Sequence, residues 1–315
     1  MGAFQKLAAR PWIWSFLGLV VVWLATVAFT HGKGGAEILS AALSFGTFTV
    51  IVGIGQMFVI TTGPGNVDLS IPATIALSGS LAMKVMGGAD AMLPVGLVVS
   101  LLCGVAVGGF NYALIRLLRI PPIIATLSSS FLVLSTAIAY GRGLKIKPPP
   151  MLADFTTARV FDVPVLAIVV VGLAVVMSVL LNRTVYGRSV LAIGQNMRAA
   201  ELAGIRVERI RFLTYMLSAV LASLCGFVLA GFSGGASLNM GEEYLLASIA
   251  VVVIGGTSVA GGKANVPGIW GAALFMFLLV TMLNTFGASA GVRLIMTGLI
   301  IVAVITIAGG DKPQR

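Results

Sequence analysis

The sequence predicts an all-α protein: a polytopic transmembrane helical bundle of about ten crossings, one domain over residues 1–315, with both termini cytoplasmic. Three observations predict it. Hydrophobic residues make up 58% of the chain and charged residues only 10%, against about 25% charged in soluble domains. A water-facing surface of ordinary size cannot be built from that composition. The apolar residues fall in long continuous runs, unlike the ~10-residue alternating segments of an outer-membrane barrel. Lys and Arg sit between those runs, where they set topology. The 39 glycines suit helices packed closely through small residues.

About 20 apolar residues span a bilayer. On that basis the runs lie near 12–30, 40–62, 72–87, 92–115, 123–141, 163–181, 210–231, 244–257, 267–286 and 292–308. The first follows "MGAFQKLAAR" and contains "ATVA", which has the look of a signal peptide and its cleavage site. A signal core is usually 7–15 residues, and residues 12–29 exceed it, so an uncleaved crossing is expected. The runs at 72–87 and 244–257 are short, and each abuts a Gly-rich break. With the amino terminus inside, 13 of the 20 Lys and Arg are cytoplasmic, including those of the loop at about 183–210. Four of the remaining seven lie in one external loop, about 141–162.

Several functions are disfavoured. The net charge of +10 is spread between apolar runs rather than gathered in a patch, so nucleic acid is not an expected partner. Cys103 and Cys225 stand at unrelated spacing inside apolar runs and form no metal or disulfide framework. His31 is the only histidine, so no His-based metal site or catalytic triad is expected. The stretch "IGGTSVAGGKANVPG" (254–268) fails as a phosphate loop. Lys263 comes one place late after Gly256 and Gly261, and Ala264 replaces the hydroxyl that would hold magnesium. No catalytic residues are expected, and no metal or cofactor bound by this chain.

Two polar islands remain. In "VITTGPGNVDLSIPATIALSGS" (59–80), Asp68 is the one charge in uncharged sequence. A carboxylate at the bilayer centre costs about 2.5–3.5 kcal/mol, so it must face water, the bundle interior or a helix end. Capping the helix that Pro72 announces is one reading; a place on a translocation path with Asn66 and Ser70 is the other. This block echoes 261–274, which also places Gly-rich residues and Asn-Val before a small-residue helix. The second island is "YGRSVLAIGQNMRAAELAGIRVERIR" (186–211), with five arginines and two glutamates. Asn196 is its expected N-cap and Gly204 its stop, around a helix too short to persist alone. Ala199, Ala200 and Ala203 give it a small-sided face flanked by Arg198 and Glu201. Such a helix suits a groove in a cytoplasmic partner or, equally, anionic lipid headgroups.

These residues resemble the membrane subunits of ATP-binding-cassette sugar importers of the ribose/xylose type. The blocks that carry the likeness are "GQMFVITTGPGNVDLSIPATIALSGS" (55–80), "IPPIIATLSSSFLVLSTAIAYGRG" (120–143), the loop at 186–211 and "VVVIGGTSVAGG" (251–262), in order across roughly 40–308. Where that family usually reads Gly-Gly-Ile-Asp-Leu-Ser-Val-Gly, this chain reads Gly-Pro-Gly-Asn-Val-Asp-Leu-Ser-Ile-Pro. The resemblance implies a multi-pass permease of the bacterial cytoplasmic membrane, paired with a second permease subunit, identical or similar. It further implies a cytoplasmic ATPase dimer that carries ATP and magnesium, and a periplasmic solute-binding protein. The ATPase would dock on the helix formed by Asn196, Met197, Arg198, Ala199, Ala200, Glu201, Ala203 and Gly204. Candidate path residues are Gln56, Asn66, Asp68, Ser70, Asn111, Thr126 and Asn284, polar groups in apolar surroundings able to hydrogen-bond hydroxyls. A branched-chain amino acid permease of the same class is the nearest alternative. A stand-alone ion-coupled transporter would need a relay of acids or histidines, and only Asp68 offers one.

Overall fold

The computed structural model describes residues 11–32, 34–141 and 146–287, with 289, 291, 292, 295, 296, 298, 299 and 302 beyond. Most of the expected run at 292–308, and both chain ends, lie outside the described residues. In order the helices are α1 (Pro11–Phe29), α2 (Gly35–Thr61), α3 (Ile71–Met86), α4 (Leu93–Leu117), α5 (Pro122–Gly141), α6 (Pro150–Thr157), α7 (Val165–Arg183), α8 (Val185–Gln195), α9 (Met197–Leu202), α10 (Val207–Phe232), α11 (Tyr244–Ile254) and α12 (Val266–Thr285). A two-residue hairpin, Arg159–Val160 with Val163–Pro164, is the β-structure among the described residues. Among the described residues seven helices are long and apolar enough to cross a membrane: α1, α2, α4, α5, α7, α10 and α12. α3 and α11 are apolar but shorter, as the runs at 72–87 and 244–257 suggested.

The long helices divide into an inner and an outer set. α2, α10 and α12 are buried over 67% of their apolar windows, whereas α1, α4, α5 and α7 are buried over 17–33%. On α2, Phe48, Ile51, Ile54, Met57 and Phe58 are all shielded, the pattern of a helix surrounded on every side. On α7, Ile168, Val171, Val175 and Val179 point outward; in a membrane protein such a face meets lipid or another subunit.

Small residues decide how closely the inner helices approach. On α4, a Cβ at Gly104 would lie 2.7 Å from Ala219 O and from Val220 Cα, and one at Gly108 2.6 Å from Met216 Cα. These two glycines, four apart on one face, seat α4 directly on the backbone of α10. α3 starts with Pro72 in its first turn, where a missing N–H leaves no orphan. It ends at Gly87 (φ 55), whose N–H closes on Met83 O.

Contacts sort the loops to two ends of the bundle. At one end meet the start of α1 (Ser15 Oγ to Gly268 O, 3.3 Å), the end of α2, the end of α8 and the Gly-rich loop 255–265 (Gly262 N–H to Thr61 O, 2.9 Å). At the other meet the ends of α1 and α12, through Phe29 and Phe286 with ring centroids 4.2 Å apart. The β-hairpin is clamped there too, Ser40 Oγ donating to Asp162 O at 2.8 Å and accepting from Arg159 Nη1 at 2.8 Å. Phe161 and Asp162 at its tip both have positive φ, 50° and 61°, and Phe161 is 97% exposed.

Candidate functional site

α2 ends at Thr61 and the chain folds back before α3 begins at Ile71, so residues 62–70 run irregularly, exposed at Pro64 and Gly65 and buried at Asn66, Asp68 and Ser70. Irregular backbone inside a bundle persists only where protein satisfies its polar groups, and four helices supply partners here. From α2, Gln56 Oε1 accepts the Asp68 N–H (3.1 Å). From α5, Thr126 Oγ1 accepts the Leu69 N–H (3.1 Å). From α10, Ser218 Oγ donates to Asp68 Oδ2 (2.8 Å), while Arg211 Nη2 (2.8 Å) and Tyr215 OH (3.2 Å) donate to Asn66 Oδ1. From α4, Asn111 Nδ2 donates to the Ser70 hydroxyl (2.8 Å). That hydroxyl, on the residue just before α3, donates in turn to Asp68 Oδ1 (2.6 Å). Ser218 is the twelfth residue of α10, so the carboxylate sits roughly 16 Å along that helix.

Six of the seven sequence-selected path residues therefore meet in one network: Gln56, Asn66, Asp68, Ser70, Asn111 and Thr126. All are buried, and Gln56, Asp68, Ser70, Asn111 and Thr126 have no exposed surface at all. Asn284 does not join them. It is exposed near the end of α12, at the opposite end of the bundle, two residues before Phe286. The sequence reading missed Arg211, Tyr215 and Ser218. Their spacing of four and three places all three on one face of a helix, which is the signal that would have found them.

Asp68 does not cap α3 as a helix N-cap. The residue before the helix is Ser70, which makes no side-chain capping bond. Asp68 lies two residues earlier, and its Oδ1 accepts the Ser70 N–H at 3.0 Å, an Asx turn. The carboxylate thus holds three donors, from Ser70 N–H, Ser70 Oγ and Ser218 Oγ. Two amide atoms of the same network, Gln56 Nε2 and Asn111 Oδ1, are buried without a partner. One is a donor and the other an acceptor, and unsatisfied buried groups of this kind are uncommon. Among the described residues no group of three or more His, Cys, Asp or Glu stands ready to hold a metal.

The second island folds as two short helices. Thr184 caps α8, accepting from Gly187 N–H (3.1 Å). Asn196 caps α9, accepting from Ala199 N–H (2.9 Å). Gly204 stops it with φ 82°, its N–H closing on Glu201 O at 2.9 Å. The expected alanine face is divided. Ala200 is 4% exposed and packs inward with Ile193 and Val207, because the six-residue helix needs an anchor on its own chain. Ala199 and Ala203 face outward with Asn196, Arg198, Glu201 and Gly204. The outer apolar contacts are Met197, 50% exposed, and Leu202, 77% exposed; Leu202 was not among the selected residues. Glu208, at the start of α10, accepts from Tyr112 OH (2.7 Å) and pairs with Arg116 Nε (2.7 Å), tying α10 to the end of α4.

Seven helices long and apolar enough to cross a membrane among the described residues, with a buried polar network at the break between α2 and α3, are the features of a multi-pass membrane protein. The family described as "Branched-chain amino acid transport system / permease component" matches residues 38–305, and the chain belongs to it. Among its relatives, the ribose import permease of Bacillus subtilis is 31% identical over 97% of this chain and 93% of the relative. The fructose import permease of Rhizobium meliloti is 30% identical, over 92% and 83%. The autoinducer 2 import system permease of Enterobacter sp. is 28% identical, over 94% and 85%. No solved structure matches.

Proposed function

We propose that this chain is the membrane subunit of an ATP-driven importer for a sugar or sugar-like solute, in the cytoplasmic membrane of a bacterium. The relatives with about 30% identity over most of their length are named for the import of ribose, fructose and autoinducer 2, and this supports the solute class. Branched-chain amino acids, the alternative, draw support from the family's description alone. The seven long helices, the two short ones and the run at 292–308 give ten crossings. The bundle end that carries residue 15 and the 183–210 loop faces the cytoplasm, as the Lys/Arg bias requires. The 141–162 loop, and Glu242 and Glu243, then face the periplasmic binding protein. A second permease copy or a similar chain completes the pathway, and ATP and magnesium belong to a separate ATPase pair.

The observation that carries the coupling role is the shape of α9: a capped helix, anchored inward by Ala200, whose Met197 and Leu202 stand open at the cytoplasmic end. Two exposed apolar side chains set among Arg198 and Glu201 on one short helix suit a contact with a partner protein. The ATPase docks on Met197, Arg198, Ala199, Glu201, Leu202 and Ala203, with Asn196 and Gly204 holding the helix ends and Ala200 seating it. In the path, Gln56, Asn66, Asp68, Ser70, Asn111 and Thr126 meet solute hydroxyls when the bundle opens, Gln56 Nε2 and Asn111 Oδ1 first. Asn284 lies toward the outer mouth. Leu202→Glu tests the docking. A buried, unpaired charge is strongly unfavourable, so the variant should insert normally, lose co-purification of the ATPase and lose uptake. On a helix that only rests on lipid, the ATPase would still co-purify.

A further inference from the structure

The end of α8, the end of α2 and the Gly-rich loop between α11 and α12 touch backbone to backbone. A Cβ on Gly194 would collide with the carbonyl oxygen of Thr61 and the amide nitrogen of Gly262. A Cβ on Gly261 would lie 2.6 Å from Gly63 Cα and 3.0 Å from Gly194 O. One on Gly262 would lie 2.6 Å from Gln195 Cγ. Gly261 and Gly262 also hold φ of 89° and 74°, so glycine is required there twice over. Hydrogen bonds lock the contact: Gly262 N–H to Thr61 O at 2.9 Å and Gln195 Nε2 to Gly262 O at 3.4 Å. The two echoing blocks of the sequence thus meet in space, with α8 wedged against both.

What lies on either side of this contact gives it a role. Gln195 is followed at once by Asn196, the cap of α9. Three residues after Gly63 stands Asn66, whose N–H and Nδ2 both donate to Gly63 O (3.3 and 3.1 Å), and Asn66 receives Arg211 and Tyr215 of the buried network. We propose that Gly194, Gly261 and Gly262 form the joint through which displacement of α9 reaches the Asn66–Asp68 network, making them positioning residues for transport. The proposal rests on α9 being the ATPase-docking helix. The physical reason is stiffness. Long side chains at an interface can absorb a shift by changing rotamer, whereas packed backbones joined by hydrogen bonds transmit it.

The test is the ratio of solute imported to ATP hydrolysed, measured in the same vesicles containing permease, ATPase and binding protein. Gly194→Ala should leave the ATPase bound and hydrolysing while the ratio falls about two- to thirtyfold, the range for residues that modulate coupling between distant sites. Gln195→Ala, which loosens the joint without a clash, should lower the ratio toward the small end of that range. Gly172→Ala, where a Cβ meets nothing within 4 Å, should leave it unchanged. If Gly194→Ala fails to assemble, Gln195→Ala decides by the same ratio. A purely structural role would lower uptake and hydrolysis together at a constant ratio, and that result overturns the joint. Failure of the docking assignment looks different: Leu202→Glu would then leave uptake intact, whatever the glycine variants do.

Discussion

With no exposed surface, the Asp68 carboxyl group is held by three donors from two neighbouring positions, Ser70 and Ser218. An asparagine can keep its oxygen toward Ser70 and turn its amide toward the Ser218 hydroxyl, which is able to accept as well as donate. Asp68→Asn should therefore keep stability and uptake within a few-fold, and Asp68→Ala should destabilise the permease by about 1–3 kcal/mol through orphaned donors. Thermal unfolding in detergent, read alongside uptake, checks both. Loss of uptake in the asparagine variant at unchanged stability would place the charge itself in the mechanism. Much at this scale was legible: a polar residue in apolar sequence must find partners, and six such residues found one another. Ser218 and Tyr215 were hidden because Ser and Tyr in a helix excite no suspicion singly. Ala200 was misdirected because small residues mark close approach without saying to what.

The helices follow from length and hydropathy, and the breaks from glycine and proline, so nine of the ten expected runs appear as helices among the described residues. What the sequence could not give was which helix seats on which. Gly104 and Gly108 carry the period of a close-packing motif, yet only the fold shows α10 as their partner. Gly108→Val should push α4 from α10 at about 1–3 kcal/mol, the range for overpacking. Because α4 brings Asn111 and α10 brings Ser218, uptake should fall with the melting temperature. An unchanged melting temperature would mean that α4 and α10 do not pack here. The loop offers a paired contrast. Ala200→Glu, aimed inward at Ile193 and Val207, should expose residues 183–210 to protease and lose the ATPase. Leu202→Glu should lose the ATPase with the loop still resistant. Equal protease sensitivity in the two would contradict the inward seat of Ala200.

For the whole molecule, sidedness comes first. Phe161→Cys at the hairpin tip should react with an impermeant thiol reagent from outside, and Leu202→Cys should not, against a background in which Cys103 and Cys225 are buried. Thr156, in the same loop, is a poor reporter because it is only 2% exposed. The inverse labelling would reverse the bundle and remove α9 from the cytoplasm. Composition and the long apolar runs made a multi-pass membrane protein legible, and the resemblance of four blocks to sugar-importer subunits pointed to a permease. The solute was not legible, since amides, hydroxyls and one carboxylate accept many hydroxylated molecules alike. The most direct test is uptake of labelled pentoses, hexoses, polyols and leucine into vesicles holding this chain with its co-purifying ATPase and binding protein. Saturable import of a sugar or polyol that requires both ATP and this chain is the predicted result. Import of leucine with no sugar, or import that persists without ATP, would contradict it.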